Sequence, residues 1–375
     1  MSDSLPPLEV AGRAARLRGL LADAHDGLQA LIVSDLSDIR WLCGFTGSNG
    51  WAVLTPDEVV LVTDGRYGDQ GTAQLAAAGV AGSVRVGRTG AALLDELAAV
   101  VDPFGRVGFD DADVSVAQHR RWSERIAATL VPAGGVVESG RRVKDAGEIA
   151  RMRRACEIAD QALIETAPML VERPTEAQVR NRLDARMREL GASGPSYDTI
   201  VAAGPVNAPR PHHRPTDTVI EQGHTVIIDV GALFDGYHSD MTRTFVVGEP
   251  TAVQAEAYEL VRRAQRAGVE AVRAGLAARE LDAACREVIA VAGWGEWFVH
   301  GTSHGVGLDI HEDPFSNTAS TDVLVAGDVV TVEPGLYRGD FGGVRIEDLV
   351  VVGDGGAQVL TRTPIAATPG LPLNR

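Results

Sequence analysis

Cysteine is scarce in this sequence, and long apolar runs are missing from it. Cys43, Cys156 and Cys285 are the only cysteines among 375 residues, and they lie far apart with no metal-binding or redox spacing. This pattern excludes a disulfide-stabilised secreted scaffold and favours a reducing compartment. No apolar run approaches the ~18 residues of a membrane span, and the segment MSDSLPPLEV has neither a basic head nor an apolar core. We therefore expect a cytoplasmic protein that does not enter a membrane.

Positive charge is also in short supply. Lysine and arginine number 35 against 51 aspartates and glutamates, which gives a formal net charge of -16 at pH 7. Nucleic acids and anionic membranes would be repelled over long range, so neither is expected as a partner. A small, often cationic ligand is more compatible with this charge. The length, with 45% hydrophobic residues, favours two domains that each bury a core.

Two carboxylates stand out in the segment TVIIDVGALFDGYHSDMTRT, residues 225–244. Asp229 ends an apolar run that predicts a buried strand, and Asp240 follows after a turn that contains Asp235 and Gly236. We expect both acids on paired strands. An ionised carboxylate in such surroundings costs several kcal/mol unless a cation compensates it, and no lysine lies between the two acids. A bound metal would supply that compensation.

The same pattern recurs later in the chain. The segment GHTVIIDVG around Asp229 is echoed by GDVVTVEPG around Glu333, with a glycine six residues before each acid. Each acid is followed along the chain by a second one, Asp240 and Glu347 respectively. The repeat indicates an internal duplication with two symmetry-related hairpins. Four converging carboxylates repel one another unless cations of comparable charge lie between them, and two divalent ions meet that requirement.

The first third of the chain has the pattern of an α/β domain. LQALIVSD, WAVLT, EVVLVTD, SVRVG and RVGFD predict strands of a mixed sheet, the second and third of them joined as a hairpin. The segment FTGSNGW is interpreted as a turn, because no phosphate-cradling helix follows it. Residues 131–144 are rich in proline, glycine and basic side chains and predict a linker. We therefore place one domain in residues 1–135 and a second in residues 136–375.

Helices are predicted by apolar spacing and by capping sequences. Apolar residues recur at helical spacing in residues 93–100, 116–130 and 149–163. Capping-box sequences predict further helix starts at Thr175 and Thr251. The second domain is thus predicted to contain helices and a hairpin, followed by helices and a hairpin again.

Three of the nine histidines cluster in HGTSHGVGLDIHE. His300, His304 and His311 lie there among glycines, where neither a helix nor a tightly packed strand is favoured, so we interpret them as site residues. One imidazole with four carboxylates gives an oxygen-rich ligand set that suits Mn²⁺, Co²⁺ or Zn²⁺ and disfavours a thiolate-type structural zinc site. We expect two divalent ions, Mn²⁺ first, with Co²⁺ or Zn²⁺ as alternatives.

From Arg142 to about Leu360 the chain resembles the metallopeptidase family with the pita-bread fold, which holds aminopeptidase P, prolidase, methionine aminopeptidase and creatinase. The motifs that carry the resemblance are IIDVG, HSDMTRT, TSHGVG, TVEPG and RIED. It implies an α/β (α+β) fold class, with a pseudo-symmetric pita-bread catalytic domain after the N-terminal domain. It also implies a dinuclear-metal peptidase that hydrolyses the Xaa-Pro bond at the N-terminus of peptides. The family's metal ligands correspond to Asp229, Asp240, His304, Glu333 and Glu347.

Residues 1–135 resemble the creatinase-type N-terminal domain of aminopeptidase P and prolidase, which methionine aminopeptidase lacks. Creatinase uses no metal and lacks the full ligand set, so five retained ligands argue against its chemistry. Two alternatives stay open: a non-catalytic pita-bread binding module and a creatinase-like amidinohydrolase. Non-catalytic relatives usually have eroded ligands, whereas this chain keeps them.

The resemblance also implies catalytic roles. The segment VNAPRPHHRPTD matches the family's Pro-His segment, which assigns the substrate histidine to His212, with the adjacent His213 as the alternative. His311 matches the second catalytic histidine, and both would bind the substrate carbonyl and the developing oxyanion. Two divalent ions would lower the pKa of the attacking water. Glu333 is expected to take the proton of that water and pass it to the proline nitrogen.

Arginines bear on the length of the substrate. Arg345 is expected to orient Glu347 or to hold a substrate carboxylate, and His300 is expected to bind the substrate as well. A dipeptidase needs a cationic anchor for the proline carboxylate, and only Arg210, Arg214, Arg338 and Arg345 lie within the motif segments. We therefore expect an aminopeptidase that accepts tripeptides and longer peptides with proline in second position. The expected assembly is a homodimer.

Overall fold

The computed structural model describes residues 5–25 and 27–366. These residues form two compact units, one of residues 7–141 and the other of residues 142–366 together with residues 5–6. The helices of the first unit are α1 (Arg13–Ala24), α2 (Leu36–Cys43), α3 (Gly68–Ala77), α4 (Gly90–Val101), α5 (Val116–Arg125) and α6 (Val136–Arg142). Its strands are β1 (Leu31–Val33), β2 (Gly50–Leu54), β3 (Val59–Asp64), β4 (Gly82–Gly87), β5 (Arg106–Phe109) and β6 (Thr129–Pro132).

The strands of the first unit form one mixed sheet in the order β4-β3-β2-β1-β5-β6. The pairs β3–β4, β1–β5 and β5–β6 are parallel, and the pairs β1–β2 and β2–β3 are antiparallel. The predicted mixed sheet, its hairpin and the turn before Gly50 are confirmed. Alternate strand residues such as Ile32, Val53 and Val62 bury one face of the sheet against α4 and α5, whose Leu97 and Trp122 belong to the same cluster.

The end of the first unit differs from the expected linker. Helix α5 ends at Arg125, earlier than predicted, because the chain then enters β6, which pairs in parallel with β5. Gly135, with φ of +80°, turns the chain after β6 into α6. Val136 and Val137 are buried, so this segment is held by apolar contacts rather than by solvent-exposed linker backbone.

The second unit contains more strands than the first, and most of them are short. Its helices are α7 (Ala146–Thr166), α8 (Glu176–Glu189), α9 (Gly204–Asn207), α10 (Ala252–Ala271) and α11 (Ala278–Val291). Its first strands are β7 (Gly194–Pro195), β8 (Ile200–Ala203), β9 (Thr225–Asp229), β10 (Ala232–Phe234), β11 (Tyr237–His238) and β12 (Thr242–Val246). Its later strands are β13 (Ser303–Gly305), β14 (Glu312–Ser316), β15 (Val329–Val332), β16 (Gly335–Arg338), β17 (Gly342–Arg345), β18 (Asp348–Gly353) and β19 (Gly356–Val359).

The second unit is built from two similar halves. In the first half, α7 and α8 precede a sheet in which β9 pairs with β8 and β12. In the second half, α10 and α11 precede a sheet in which β15 pairs with β13 and β18. Each half also inserts a short hairpin, β10–β11 or β16–β17, before its third strand. The predicted internal duplication is confirmed, and it includes the helices as well as the hairpins.

Helix starts in the second unit follow the capping chemistry of the sequence. The capping boxes at Thr175 and Thr251 are both formed, and a further one at Asp145 starts α7. The apolar faces of α7 and α8 pack with β8, β9 and β12 in one core, and those of α10 and α11 pack with β15 and β18 in another. Within residues 5–25 and 27–366, no helix is long and apolar enough to cross a membrane.

Candidate metal centre

One cavity of about 810 Å³ in the second unit brings together every site residue predicted from the sequence. It lies where strand ends from both halves of the unit meet, so each half contributes carboxylates to the same space. The predicted residues that line it are His212, Asp229, Asp240, His300, His304, His311, Glu333, Arg345 and Glu347.

The four carboxylates stand at or just beyond strand ends. Asp229 is the last residue of β9, Glu333 directly follows β15, Asp240 lies shortly before β12, and Glu347 lies between β17 and β18. Both Asp240 and Glu347 were expected within paired strands, and this expectation is wrong in detail. The chain leaves the main ladder in each half to form the inner hairpin, so the second acid of each pair lies where the chain returns to it.

Burial makes these carboxylates costly to ionise without a cation. Asp240 and Glu347 are only 5% and 2% exposed. Burial raises the pKa of each well above its usual range, and repulsion from neighbouring carboxylates raises it further. Burial also raises the pKa of Glu333. A bound cation would oppose all of these effects, because it favours the ionised form.

The imidazole of His304 is oriented as a metal ligand. Its Nδ1 lies 2.9 Å from the carbonyl oxygen of Gly305, which can only accept, so Nδ1 carries the proton and Nε2 keeps its lone pair. Nε2 lies 3.5 Å from a carboxylate oxygen of Asp240 and 3.5 Å from one of Glu333. Burial lowers the pKa of His304, which favours the neutral, ligating form.

This donor set fits a divalent cation. Ligand atoms of Asp240, His304 and Glu347 all lie within 4.8 Å of one another. When the carboxylates are ionised, an imidazole lone pair that faces their oxygens is an arrangement of acceptors without donors, and a cation between them removes this unfavourable contact. Nitrogen and oxygen ligands of this kind are those that Mn²⁺, Co²⁺ and Zn²⁺ accept.

Tyr197 is a site residue that the sequence analysis missed. Its buried hydroxyl is hydrogen-bonded to Asp229 Oδ1 and lies 2.5 Å from Asp240 Oδ1, so a single hydroxyl contacts one oxygen of each acid. Burial raises the pKa of Tyr197 well above its usual range, and the adjacent carboxylates add to this shift. The hydroxyl therefore stays protonated and holds the two carboxylates in place.

Arg345 has a different partner from the one expected. Its Nη2 lies 2.6 Å from Asp229 Oδ2, and its Nη1 donates to the hydroxyl of Tyr337 at 2.9 Å. The connection to Glu347 is indirect: Arg345 Nε donates to Thr242 Oγ1 at 3.0 Å, and that hydroxyl donates to Glu347 Oε2 at 2.7 Å. Arg345 ends β17 in the second half of the unit, and its side chain reaches Asp229 at the end of β9 in the first half. These contacts commit the guanidinium to holding the carboxylate of Asp229.

The structure distinguishes the two adjacent histidines. His212 is exposed and lines the cavity, whereas His213 is 6% exposed and lies outside the lining. His213 Nε2 lies 2.9 Å from a carboxylate oxygen of Glu176, the first residue of α8. Of the pair, His212 is therefore the one available to a bound substrate.

His311 and His300 flank His304 in the cavity. The rings of His304 and His311 meet edge to face, with centroids 4.5 Å apart. Burial lowers the pKa of His311, which favours the neutral ring with one N–H to donate. Both ring nitrogens of His300 already have partners, the hydroxyl of Tyr337 at 2.8 Å and the carbonyl of Gly301 at 2.7 Å. His300 therefore offers a substrate its ring surface rather than a free nitrogen.

Family models match both parts of the chain. Residues 150–354 match the model of metallopeptidase family M24, and residues 13–143 match the creatinase/prolidase N-terminal domain. The chain belongs to metallopeptidase family M24. The resemblance drawn from the motifs is thereby confirmed.

Solved structures of similar proteins extend over the whole chain. A Xaa-Pro dipeptidase from Bacillus anthracis has a TM-score of 0.90 at 36% identity and covers 96% of this chain and 99% of its own. An X-Pro aminopeptidase from Thermotoga maritima has a TM-score of 0.85 at 31% identity and covers 94% and 99%. A prolidase from Pyrococcus furiosus has a TM-score of 0.84 at 32% identity and covers 92% and 99%. The expected α/β fold with a pita-bread domain is thus confirmed for this member of family M24.

Proposed function

We propose that this member of family M24 hydrolyses the bond between an N-terminal residue and a following proline, with two bound metal ions. The observation that carries the proposal is the acceptor-only ligand set of carboxylates around the Nε2 lone pair of His304. The family's five ligand positions are all filled by ligating residue types, which supports an active enzyme over a binding module. Similar proteins include a Xaa-Pro dipeptidase and an X-Pro aminopeptidase, and their activities support the choice of bond.

The metal ions would be held by carboxylates from both halves of the unit. When bound, they supply the Lewis acidity that polarises the scissile carbonyl and acidifies the attacking water. We propose Mn²⁺ as the metal, with Co²⁺ and Zn²⁺ as alternatives, because the donors are oxygens and a single nitrogen. Elemental analysis of the purified protein measures the identity and stoichiometry. The residues that would hold the ions are Asp229, Asp240, His304, Glu333 and Glu347.

The chain's own side chains would handle the proton and the developing charge. Glu333 accepts the proton of the attacking water at a carboxylate oxygen and delivers it to the leaving proline nitrogen. His212 and His311 donate hydrogen bonds to the scissile carbonyl and to the oxyanion that it becomes. Arg345 and Tyr197 hold Asp229 in position during these steps.

A comparison of two tripeptides tests the proposed bond. With Mn²⁺ present, the protein should release free alanine from Ala-Pro-Ala and should leave Ala-Ala-Ala largely intact. Release from both peptides at equal rates would indicate a broad aminopeptidase without proline selectivity. Release from neither peptide, from protein whose metal content is complete, would contradict the proposed function.

We further propose that the enzyme acts on tripeptides and longer peptides. Arg345 is held by a site carboxylate and Arg338 by a neighbouring aspartate, and Arg210 lies outside the cavity lining. Arg214 lines the cavity and makes no hydrogen bond or ion pair among residues 5–25 and 27–366, so it is the one candidate anchor left for a dipeptide carboxylate. The expected kcat/KM for Ala-Pro-Ala equals or exceeds that for Ala-Pro. A dipeptide preference of tenfold or more, equal to about 1.4 kcal/mol, would contradict this proposal. Loss of such a preference in Arg214→Gln would identify Arg214 as the carboxylate anchor.

We propose a homodimer from the family resemblance, and light scattering of the purified protein tests it. We propose a cytoplasmic location because Cys43, Cys156 and Cys285, all within the described residues, are buried free thiols. Fractionation of cells that express the protein tests that location.

A further inference from the structure

A buried carboxylate organises the segment that carries His212. Glu176 begins α8, is 0% exposed, and accepts hydrogen bonds on both carboxylate oxygens. Oε1 accepts from Ala203 N at 2.8 Å and from Asn207 Nδ2 at 3.0 Å. Oε2 accepts from His213 Nε2 at 2.9 Å and from the backbone N and hydroxyl of Thr216 at 3.0 and 2.8 Å. Every partner is a donor, which suits an ionised carboxylate.

These bonds enclose His212 from both sides along the chain. Ala203 and Asn207 precede it, and His213 and Thr216 follow it, while α9 is the only regular element that the structure describes between residues 204 and 218. The segment therefore has little secondary structure of its own to fix the backbone at His212. The buried carboxylate supplies bonds that a helix or strand would otherwise provide.

A second contact ties the same point to the metal ligands. The carbonyl oxygen of Pro211 accepts from Arg345 Nη1 at 3.0 Å, and Arg345 also binds Asp229. His212 thus lies between a neighbour held by the ligand network and a neighbour, His213, held by Glu176. With both flanking residues held, the backbone of His212, from which its ring reaches into the cavity, is fixed relative to the ligands.

We propose that Glu176 and His213 are positioning residues that hold His212 against the substrate carbonyl. The inference rests on the role of His212 in the proposed function. It explains why two histidines stand side by side in HHRP: one faces the cavity, and its neighbour anchors the segment on α8. Displacement of a catalytic group by about 1 Å lowers the rate by up to about 10²-fold. Movement of the segment that carries His212 would therefore lower kcat.

A double-mutant cycle separates positioning from general stability. We expect Glu176→Gln, whose amide would face hydrogen-bond donors, to lower kcat for Ala-Pro-Ala by about 10- to 100-fold with unchanged metal content and little change in KM. In the His212→Ala background the same change should lower kcat by no more than about twofold. Equal losses in both backgrounds, or no loss in either, would overturn the proposal.

A matched control and a conservative variant guard against misfolding. Asp160 is another buried carboxylate of this unit, and it accepts from the backbone of Arg362 and Thr363 rather than from the His212 segment. Asp160→Asn should lower the melting temperature without coupling to His212→Ala. His213→Gln, whose amide nitrogen can occupy the place of Nε2, should retain more kcat than His213→Ala. Equal activity of the two His213 variants would contradict positioning.

One readout does not depend on activity. The ring proton signals of His212, assigned by their loss in His212→Ala, report the order of this side chain in protein loaded with Zn²⁺, which is diamagnetic. We expect shifted or broadened signals in Glu176→Gln and unchanged signals in Asp160→Asn. Unchanged signals in Glu176→Gln would overturn the positioning role. Failure of the wild-type protein to cleave Ala-Pro-Ala would instead overturn the proposed function, so the two failures are distinguishable.

Discussion

Thr242→Val should weaken metal binding although Thr242 is not a predicted ligand. The hydroxyl of Thr242 is fully buried, donates to Glu347 Oε2 at 2.7 Å and accepts from Arg345 Nε at 3.0 Å. Valine keeps the shape of the side chain but removes the hydroxyl. Glu347 then loses a hydrogen bond that favours its ionised form, and the buried Arg345 Nε loses an acceptor.

Two independent magnitudes agree on the size of the effect. A hydrogen bond to a charged group contributes about 1.5–3 kcal/mol. Loss of a partner that supports a metal ligand typically costs about 10- to 100-fold in metal affinity, which corresponds to about 1.4–2.7 kcal/mol. We therefore expect the Kd for Mn²⁺ to rise by about 10- to 100-fold in Thr242→Val.

Calorimetric titration of Mn²⁺ into chelator-treated protein measures this change, and β12 offers a matched control. Thr244 is also buried, donates to the carbonyl of Arg345 at 2.8 Å and accepts from its backbone N at 3.0 Å, but it contacts no predicted ligand carboxylate. Thr244→Val should lower the melting temperature to a similar extent and leave the Kd within about twofold of wild type. A wild-type Kd in Thr242→Val, or an equal rise in both variants, would refute the reasoning.

Three further predictions concern the ligands, the histidines and the metal itself. Asp240→Ala or Glu347→Ala should abolish hydrolysis and lower the metal content measured by elemental analysis, because the remaining acids lose their shared cation; near-normal activity in either would contradict a dinuclear site. His212→Ala or His311→Ala should keep the full metal content and lower kcat by about 10²-fold or more, and metal loss would show that the ligand set was misassigned. Free Mn²⁺ at about 100-fold its Kd should raise the free energy of unfolding by about 2.7 kcal/mol for each ion bound in denaturant titrations, whereas an unchanged midpoint would contradict a folded-state site.

The carboxylates could be identified from the sequence because their local context is distinctive. Asp229 and Glu333 each end an apolar run, and a charged residue in such a run needs a compensating partner. The repeated glycine spacing indicated the two halves, since it preserves the same turn before each strand. Capping boxes gave the starts of α8 and α10 correctly because the signal is confined to four residues.

Partners that are distant along the chain could not be predicted in the same way. Tyr197 lies far before Asp240, and nothing in the local pattern connects a tyrosine after a short strand to two acids. Arg345 was paired with Glu347 because they are close in sequence, whereas the pairing with Asp229 depends on how the two halves pack. Thr242 left a weak signal, since it follows Asp240 by two residues and can face the same side.

The linker expected in residues 131–144 shows that local composition can also predict the wrong structure. Proline, glycine and basic residues in 131–144 are typical of a connecting segment, yet Val136 and Val137 bury themselves and a helix forms. Composition describes only the average preference of a segment. In this segment the burial of two valines accompanies a helix instead of a linker. Helix α5 was also predicted from a local pattern, but it ends at Arg125 because the chain after it forms β6, which pairs with β5.

The most direct test of the central claim is the metal dependence of Ala-Pro-Ala cleavage by one protein preparation. Chelator-treated protein should release no free alanine, and activity should rise with added Mn²⁺ until two ions are bound per chain. Full activity in the chelator-treated protein, or the absence of proline-directed cleavage after two ions have bound, would contradict the assignment of this chain as a dinuclear Xaa-Pro peptidase.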